Sequence, residues 1–169
     1  MSIKVERNYL EISSLEDLKE QNIDSKRFSI QVVHPADFQL NKFYYKNIGK
    51  KHHWLDRLLW TEKQWIDYTS NKKVKTFVLK KDKDLTGYFE LVLHQDKNEN
   101  EIEIAYLGLL EEYRNQKLGS YLLSSAIRKS FLEEPRRVWV HTCSLDHENA
   151  LKNYISRGMT VFKKEIINI

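Results

Sequence analysis

Residues 113–123 read YRNQKLGSYLL. A basic residue leads a short polar run, one glycine follows, and an apolar pattern at helical spacing begins at once. Leu118, Leu122, Ala126 and Ile127 would share one side of that helix, and Pro135 blocks its continuation, so the stretch predicts a loop passing straight into an amphipathic helix. The first turn of any helix offers up to four free backbone N–H groups and the positive end of the dipole, a natural seat for phosphate. Gly119 supplies one point of backbone freedom, while Arg114 and Lys117 add charge. One glycine suffices, provided that Lys117 accepts the angles a second glycine would take.

Working outward, KTFVLKKD, TGYFELVLHQ and NEIEIAYLGLL alternate as strands and are divided by the turn-like KDKDL and DKNEN, which predicts an antiparallel meander. Before it, the aromatic-rich residues 36–71 lack strand alternation and are expected as two helices separated near Gly49. FSIQVV is the first clear core strand. Residues 1–26 are expected as an N-terminal extension of the same domain, with a strand between IKV and YLEI and a short charged helix at SLEDLKEQ. Downstream come the strand RRVWVHTCS, then a helix in DHENALKNYISRG, then MTVFKKEIINI as a final strand or hairpin. In that helix Asp146 is the expected N-cap, Ala150, Leu151, Tyr154 and Ile155 the apolar stripe, and Gly158 the stop. The order from residue 28 is strand, two helices, three strands, helix, strand, helix, strand. This is a mixed α/β sheet with helices on its faces.

With 169 residues and 41% apolar content, the chain fits one domain, residues 1–169. The formal net charge is +4, but lysines and arginines are interleaved with acids and form no basic stripe with aromatics, which argues against a nucleic-acid partner. The single cysteine, Cys143, excludes an internal disulfide; no Cys/His spacing suits zinc, and a reducing cytoplasm is the expected compartment. No uncharged run approaches the roughly 20 residues of a membrane helix, so no membrane partner is expected.

The phosphate loop lacks both G-x-x-x-x-G-K-[ST] and G-x-G-x-x-G. It resembles the acetyl-CoA loop of the GNAT N-acetyltransferase superfamily, Q/R-x-x-G-x-G/A, with Arg114 in the first position, Gly119 in the last and Lys117 in place of the middle glycine. HENALKNYISRGM is similar to the same family's N-x-N-A-x-x-x-Y-x-x-x-G-F at Asn149, Ala150, Tyr154 and Gly158, whereas His147 and Met159 depart from it. Together, EIEIAYLGLLEEYRNQKLGSYLL and RVWVHTCSLDHENALKNYISRGM resemble a bacterial GNAT branch with a W-V-H-T-C-x-L-D-H signature, over about residues 28–162. The resemblance implies a mostly antiparallel sheet of six to seven strands, splayed between the fourth and fifth core strands and flanked by about four helices. It also implies acetyl-CoA as co-substrate and no metal, with Arg114, Asn115, Gln116, Lys117, Leu118, Gly119, Ser120 and Asn149 as coenzyme-binding residues.

Acyl transfer to an amine needs a base, an oxyanion donor and an acid. Glu103 lies eleven residues before Arg114, the spacing at which the protein-acetylating branch of the family carries its basic glutamate. His141, whose unperturbed pKa of about 6.5 suits the task, is the rival. By family position Leu107 offers the oxyanion N–H, Leu109 pairs with the pantetheine arm as an added strand, and Tyr154 protonates the leaving thiolate. Gly108 suggests a bulge or a close backbone approach. No pattern around Cys143 signals an activated thiol. The family builds its acceptor pocket in the two-helix region, where Tyr44, Tyr45, Trp54, Asp56, Arg57 and Trp60 would make an aromatic wall with one carboxylate for an ammonium. The expectation is an N-acetyltransferase acting on a primary amine of a small molecule or peptide, with a homodimer as the assembly considered. The alternative is a catalytically silent CoA-binding module.

Overall fold

The structure, a computed structural model, describes residues 1–114 and 117–169; Asn115 and Gln116, two of the expected loop residues, lie outside the described residues. Strands β1 (Lys4–Ile12) and β2 (Phe28–Val32) precede helices α1 (Phe38–Gly49) and α2 (Glu62–Thr69). The meander is β3 (Val74–Lys81), β4 (Asp84–Asp96) and β5 (Glu99–Leu109), followed by α3 (Leu118–Phe131), β6 (Arg137–Cys143), α4 (Ala150–Ser156) and β7 (Thr160–Asn168). They build one seven-stranded sheet in the order β2-β3-β4-β5-β6-β1-β7. The mixed, mostly antiparallel sheet with four helices agrees with the expectation from sequence.

Every neighbouring pair is antiparallel except β5 and β6, which α3 joins by a crossover that a parallel pair requires. That parallel pair is short. Glu101, Ile102 and Glu103 register with Arg137, Val138 and Trp139, and beyond them β5 runs on to Leu109 without β6 beside it. The sheet splays there and leaves one edge of β5 unpaired.

A register shift on β5 sits opposite Glu90/Leu91, leaving Ala105 as the extra residue. The bulge turns Tyr106 toward the α1 face and keeps Leu107 and Leu109 against the opposite core. Gly108, where a bulge was one expectation, instead marks a close approach: a Cβ there would lie 2.7 Å from Ile48 Cγ2. At the other end of the hairpin, Lys97 and Asn98 both have positive φ, 48° and 69°, forming the two-residue turn that fixes the β4–β5 register.

The sheet buries a core on each face. Leu118, Leu122, Leu123, Ala126 and Ile127 of α3 pack on Leu10, Leu79, Phe89, Ile104 and Val138, while Tyr44 and Ile48 of α1 cover Val78 and Tyr88 behind it. Each fully buried leucine or isoleucine contributes about 1.5–3 kcal/mol. Strand β1 is an interior strand: it pairs with β6 through Arg7–Ile12 and with β7 through Lys4–Glu11, and its even residues Asn8, Leu10 and Ile12 are buried. The N-terminal residues therefore close the gap between β6 and β7.

Three local expectations are corrected. Lys50–Trp60 is a series of turns and α2 starts only at Glu62, behind a Thr61–Gln64 capping box. A Cβ on Gly49 would lie 2.5 Å from Trp54 Cβ, and His53 has φ 57°, so the chain doubles back tightly and cannot continue the helix. Asp146 does not cap α4. Its carboxylate folds back on the end of β6, accepting from the Thr142 hydroxyl and, at 3.0 Å, from the Cys143 N–H; the helix begins at Ala150 after Asn149. Ile155, expected in the apolar stripe, is exposed, whereas Tyr154 is buried. Gly158 does end the helix, with φ 106° and its N–H donating to Ile155 O while the Met159 N–H donates to Tyr154 O.

Candidate active site

The splay opens a cleft of about 870 Å³, within the range of small-molecule sites. One wall is the loop-to-helix junction. Lys117 is the N-cap of α3 with φ 61° and ψ 8°, so it does adopt the left-handed geometry usual for glycine. Among the described residues no side chain caps α3, and Lys117, Gly119 and Ser120 of its start line the cleft. A Cβ on Gly119 would have its nearest neighbours, Asn153 Nδ2 and Leu109 Cδ1, at 3.9 Å, so it would meet only ordinary van der Waals contact at the cleft wall. Arg114 donates to His52 Nε2 at 3.1 Å. Burial first, then the charge of Arg114, push the His52 imidazole below its ordinary value, so it accepts as a neutral ring and leaves the guanidinium charge uncompensated. Ser120 spends its hydroxyl on Asn153 Oδ1 at 2.9 Å, tying α3 to α4; Asn149 borders the cleft and its N–H donates to His147 Nδ1. Leu107 and Leu109, on the unpaired edge of β5, also line the cleft, while Leu118 is buried beneath it. The residues present thus fit a pyrophosphate with an extended arm beside β5.

The second wall gathers Glu103, His141 and Tyr154 at the same cleft. Glu103 Oε1 lies 2.9 Å from His94 Nε2, with the carboxylate side chain 18% and the imidazole 47% exposed. Glu101, one alternation away, is different: burial works against its charge, but hydrogen bonds from Arg136 and Arg137 outweigh this and hold its carboxyl below the ordinary range. It is an occupied ion-pair partner. His141 lies among Tyr9 and Trp139, ring centroids 5.5 and 6.5 Å away, and burial, then Arg7, lower its proton affinity. Burial pushes the Tyr154 phenol well above its ordinary value, so it retains its proton, as an acid must. Cys143 is a free thiol on the same cleft.

The expected aromatic wall is corrected. Tyr44 and Tyr45 do not reach the cleft: both are fully buried, Tyr44 stacked on Tyr88 at 4.7 Å and the Tyr45 hydroxyl accepting from the Arg57 N–H. Trp54, Asp56 and Trp60 do border it. The aromatic cage that they suggested is already filled. Arg57 inserts its guanidinium between Tyr68 and Tyr106, 4.1 and 4.3 Å from their centroids, with Trp60 at 4.8 Å. Its Nη1 donates to both oxygens of Glu90 at 2.9 and 3.2 Å, and Asn41 donates to the same carboxylate at 3.1 Å. Glu90 is fully buried on β4, and a carboxylate there demands a counter-charge. The cage therefore holds an internal cation, and Asp56 is the open carboxylate on that side.

Sequence reasoning missed Arg7, His94 and Asn153. His94 was within reach: counting back from a two-residue turn at Lys97–Asn98 sets Asp96 against Glu99 and Val92 against Glu103, one alternation from His94. Arg7 carries no such signal, because its neighbours on β6 and β7 are far away in the chain. Among the described residues no three metal-ligating side chains cluster, and no helix is long and apolar enough to cross a membrane.

A family model described as the acetyltransferase (GNAT) family matches residues 38–159. No curated protein sequence matches the chain. Among solved structures, an aminoglycoside acetyltransferase from an uncultured soil metagenomic sample superposes with a TM-score of 0.67 at 12% identity, over 79% of this chain and 88% of that one. A conserved protein of unknown function from Staphylococcus epidermidis gives 0.66 at 14% identity over 98% of this chain and 61% of that one. A GCN5-related N-acetyltransferase from Sphaerobacter thermophilus gives 0.62 at 13% identity, over 97% of this chain and 50% of that one. The likeness is one of fold, and the chain spans about half to two-thirds of the length of the latter two.

Proposed function

Since the chain belongs to the GNAT acetyltransferase family, we propose that it moves an acetyl group from acetyl-CoA to a primary amine of a small-molecule acceptor by direct attack. The observation that carries this reading is a junction: the unpaired edge of β5, the uncapped start of α3 and the Glu103 carboxylate all open into one cleft. Bound acetyl-CoA supplies an activated acetyl thioester. Lys117, Gly119 and the first turn of α3 hold its pyrophosphate, with Arg114 as an added cation and Asn115 and Gln116 as further loop donors. Leu109 offers its backbone to the pantetheine arm, with Asn149 at the facing end of α4. The N–H of Leu107 stabilises the oxygen that gains charge during attack.

An amine arrives protonated at neutral pH, and Glu103 accepts that proton. His94, half exposed, donates its Nε2–H to one oxygen of the ionised Glu103 and holds the carboxylate in place, and the other oxygen takes the proton and passes it to solvent. His141 is the weaker base, since burial and then the charge of Arg7 lower its proton affinity. Tyr154, buried and protonated, donates to the departing thiolate. Asp56, Trp54 and Trp60 border the acceptor entrance.

Thiol release from acetyl-CoA, followed across monoamines, amino acids, polyamines, aminoglycosides and peptides, tests the reading. Acceptor-dependent release is the expected result. Tight acetyl-CoA binding, scored by a rise in Tm, with no release for any acceptor would instead mark a silent CoA-binding module.

A further inference from the structure

Six of the eight arginines donate a side-chain hydrogen bond to another side chain, five of them to carboxylates and Arg114 to His52. Among the described residues, Arg7 and Arg157 donate none. Both border the cleft, and both carry buried guanidinium nitrogens without a partner: Nε of Arg7, and Nε and Nη1 of Arg157. Leaving such a group without a hydrogen-bond partner is costly, more so when it is charged. Arg157 closes α4, which packs on the Leu10 face of the sheet. Arg7 points the other way.

Register fixes where Arg7 lies. It stands opposite Cys143 on β6, Tyr9 stands opposite His141, and Glu103 on β5 stands opposite Trp139. Residues two apart on a strand share a face, so Arg7, His141 and Glu103 project from the same face of the sheet into the same cleft. The anion nearest to Arg7 is Glu165, whose Oε1 is 3.7 Å from Nη1. That distance is too long for a hydrogen bond, and Glu165 already accepts from the Tyr9 hydroxyl at 2.7 Å and pairs with Lys163 at 3.5 Å. Arg7 is thus a guanidinium with spare donors on the acceptor side of the proposed base.

We propose that Arg7 is an acceptor-binding residue, and that the acceptor is an amine that also carries a carboxylate. The proposal rests on the acetyl-transfer reading and adds the substrate class. The amine meets Glu103, and the carboxylate takes the unused donors of Arg7, which suit a planar anion in two-point contact. A polycationic acceptor such as an aminoglycoside would instead bring a second positive group toward an arginine that lacks a strong anionic partner.

The test uses matched acceptors: β-alanine, γ-aminobutyrate and δ-aminovalerate, the amide of each, and the diamine of corresponding length. Thiol release gives kcat/KM, and calorimetry in the presence of unacetylated CoA gives affinity without turnover. A charge-assisted contact predicts that at least one acid is preferred about ten- to a hundredfold over its amide, and more over its diamine. Arg7→Gln should collapse the acid-to-amide ratio toward one, and Arg7→Lys should restore part of it. Amides or diamines equal to or better than every acid in the wild-type protein would overturn the proposal, as would an unchanged ratio in Arg7→Gln. Because the wild-type series stands alone, a poorly folding variant does not obscure the answer. If no amine releases thiol, the acetyl-transfer reading fails, and the calorimetric ratio still decides the role of Arg7.

Discussion

The two walls of the cleft are built in opposite ways. The proposed coenzyme wall has a contiguous centre, flanked by the β5 edge and Asn149: Arg114, Lys117 and Gly119 lie within one loop and helix start, whose donors are backbone N–H groups that any helix exposes at its first turn. The acceptor wall is assembled from five separate segments, with Arg7 on β1, Asp56 in the turns after α1, His94 on β4, Glu103 on β5 and His141 on β6. The centre of the first needs little from the rest of the fold beyond a place to start a helix. The second exists only once the sheet order, the Ala105 bulge and the insertion of β1 are all in place. On the proposed reading, a coenzyme shared by many enzymes would be held mainly by local backbone, and selectivity would fall to side chains that only long-range pairing brings together.

Substitutions separate the walls by the parameter that each one moves. The largest effect is expected at the acceptor wall. Glu103→Gln should lower turnover by about 10²- to 10⁴-fold at neutral pH, recovering in part at higher pH as more of the free amine is already deprotonated. A pH–rate profile parallel to wild type would instead transfer the role of base to His141. Arg57→Ala should then distinguish scaffold from wall. It strands the buried Glu90 carboxylate, at a cost of about 3–5 kcal/mol, so Tm should fall by roughly 10 °C or more, and Glu90→Gln in the same chain should recover much of the loss. Little change in Tm would show that water compensates Glu90 and that the cage is not closed.

At the coenzyme wall, Gly119→Val should weaken CoA about a hundredfold by calorimetry while leaving Tm near wild type, because a Cβ there meets nothing nearer than 3.9 Å and so forces no clash in the fold. Lys117→Gly should be mild: it loses one charge but relieves a left-handed backbone worth about 1–2 kcal/mol in a residue with a Cβ. The smallest effect concerns His141. Its proton affinity is lowered in the folded chain, first by burial and then by Arg7, so the stability tied to its neutral form is present above the unfolded value near 6.5 and is lost as pH falls below it. His141→Gln should flatten that part of the stability–pH curve, and an unchanged curve would show that the imidazole ionises freely.

The same division explains what could be read from sequence. The α3 stripe, the meander, the Gly158 stop and the Lys117–Gly119 loop depend on residues within a few positions of one another, and each is where periodicity or turn chemistry set it. Residues 4–12 read as a strand, but nothing local says that the strand enters between β6 and β7, and Arg7 stayed invisible as a cleft residue for that reason. The aromatic cluster misled for a related one. Tyr45, Trp60, Tyr68 and Tyr106 do make a cage, yet Glu90, a core residue on β4, recruits Arg57 to fill it, and a buried carboxylate paired across the fold leaves no trace in spacing. Asp146 had the right sequence position for a helix cap and was taken by the nearer donors at the end of β6.

The measurement that reaches both walls at once is acceptor-dependent thiol release, with acetyl-CoA varied at saturating acceptor, in wild type, Gly119→Val and Glu103→Gln. One site built from two walls predicts that Gly119→Val raises the KM for acetyl-CoA about a hundredfold, whereas Glu103→Gln lowers kcat with that KM nearly unchanged. Thiol release that needs no acceptor, or that is indifferent to both substitutions, would contradict acetyl transfer at this cleft.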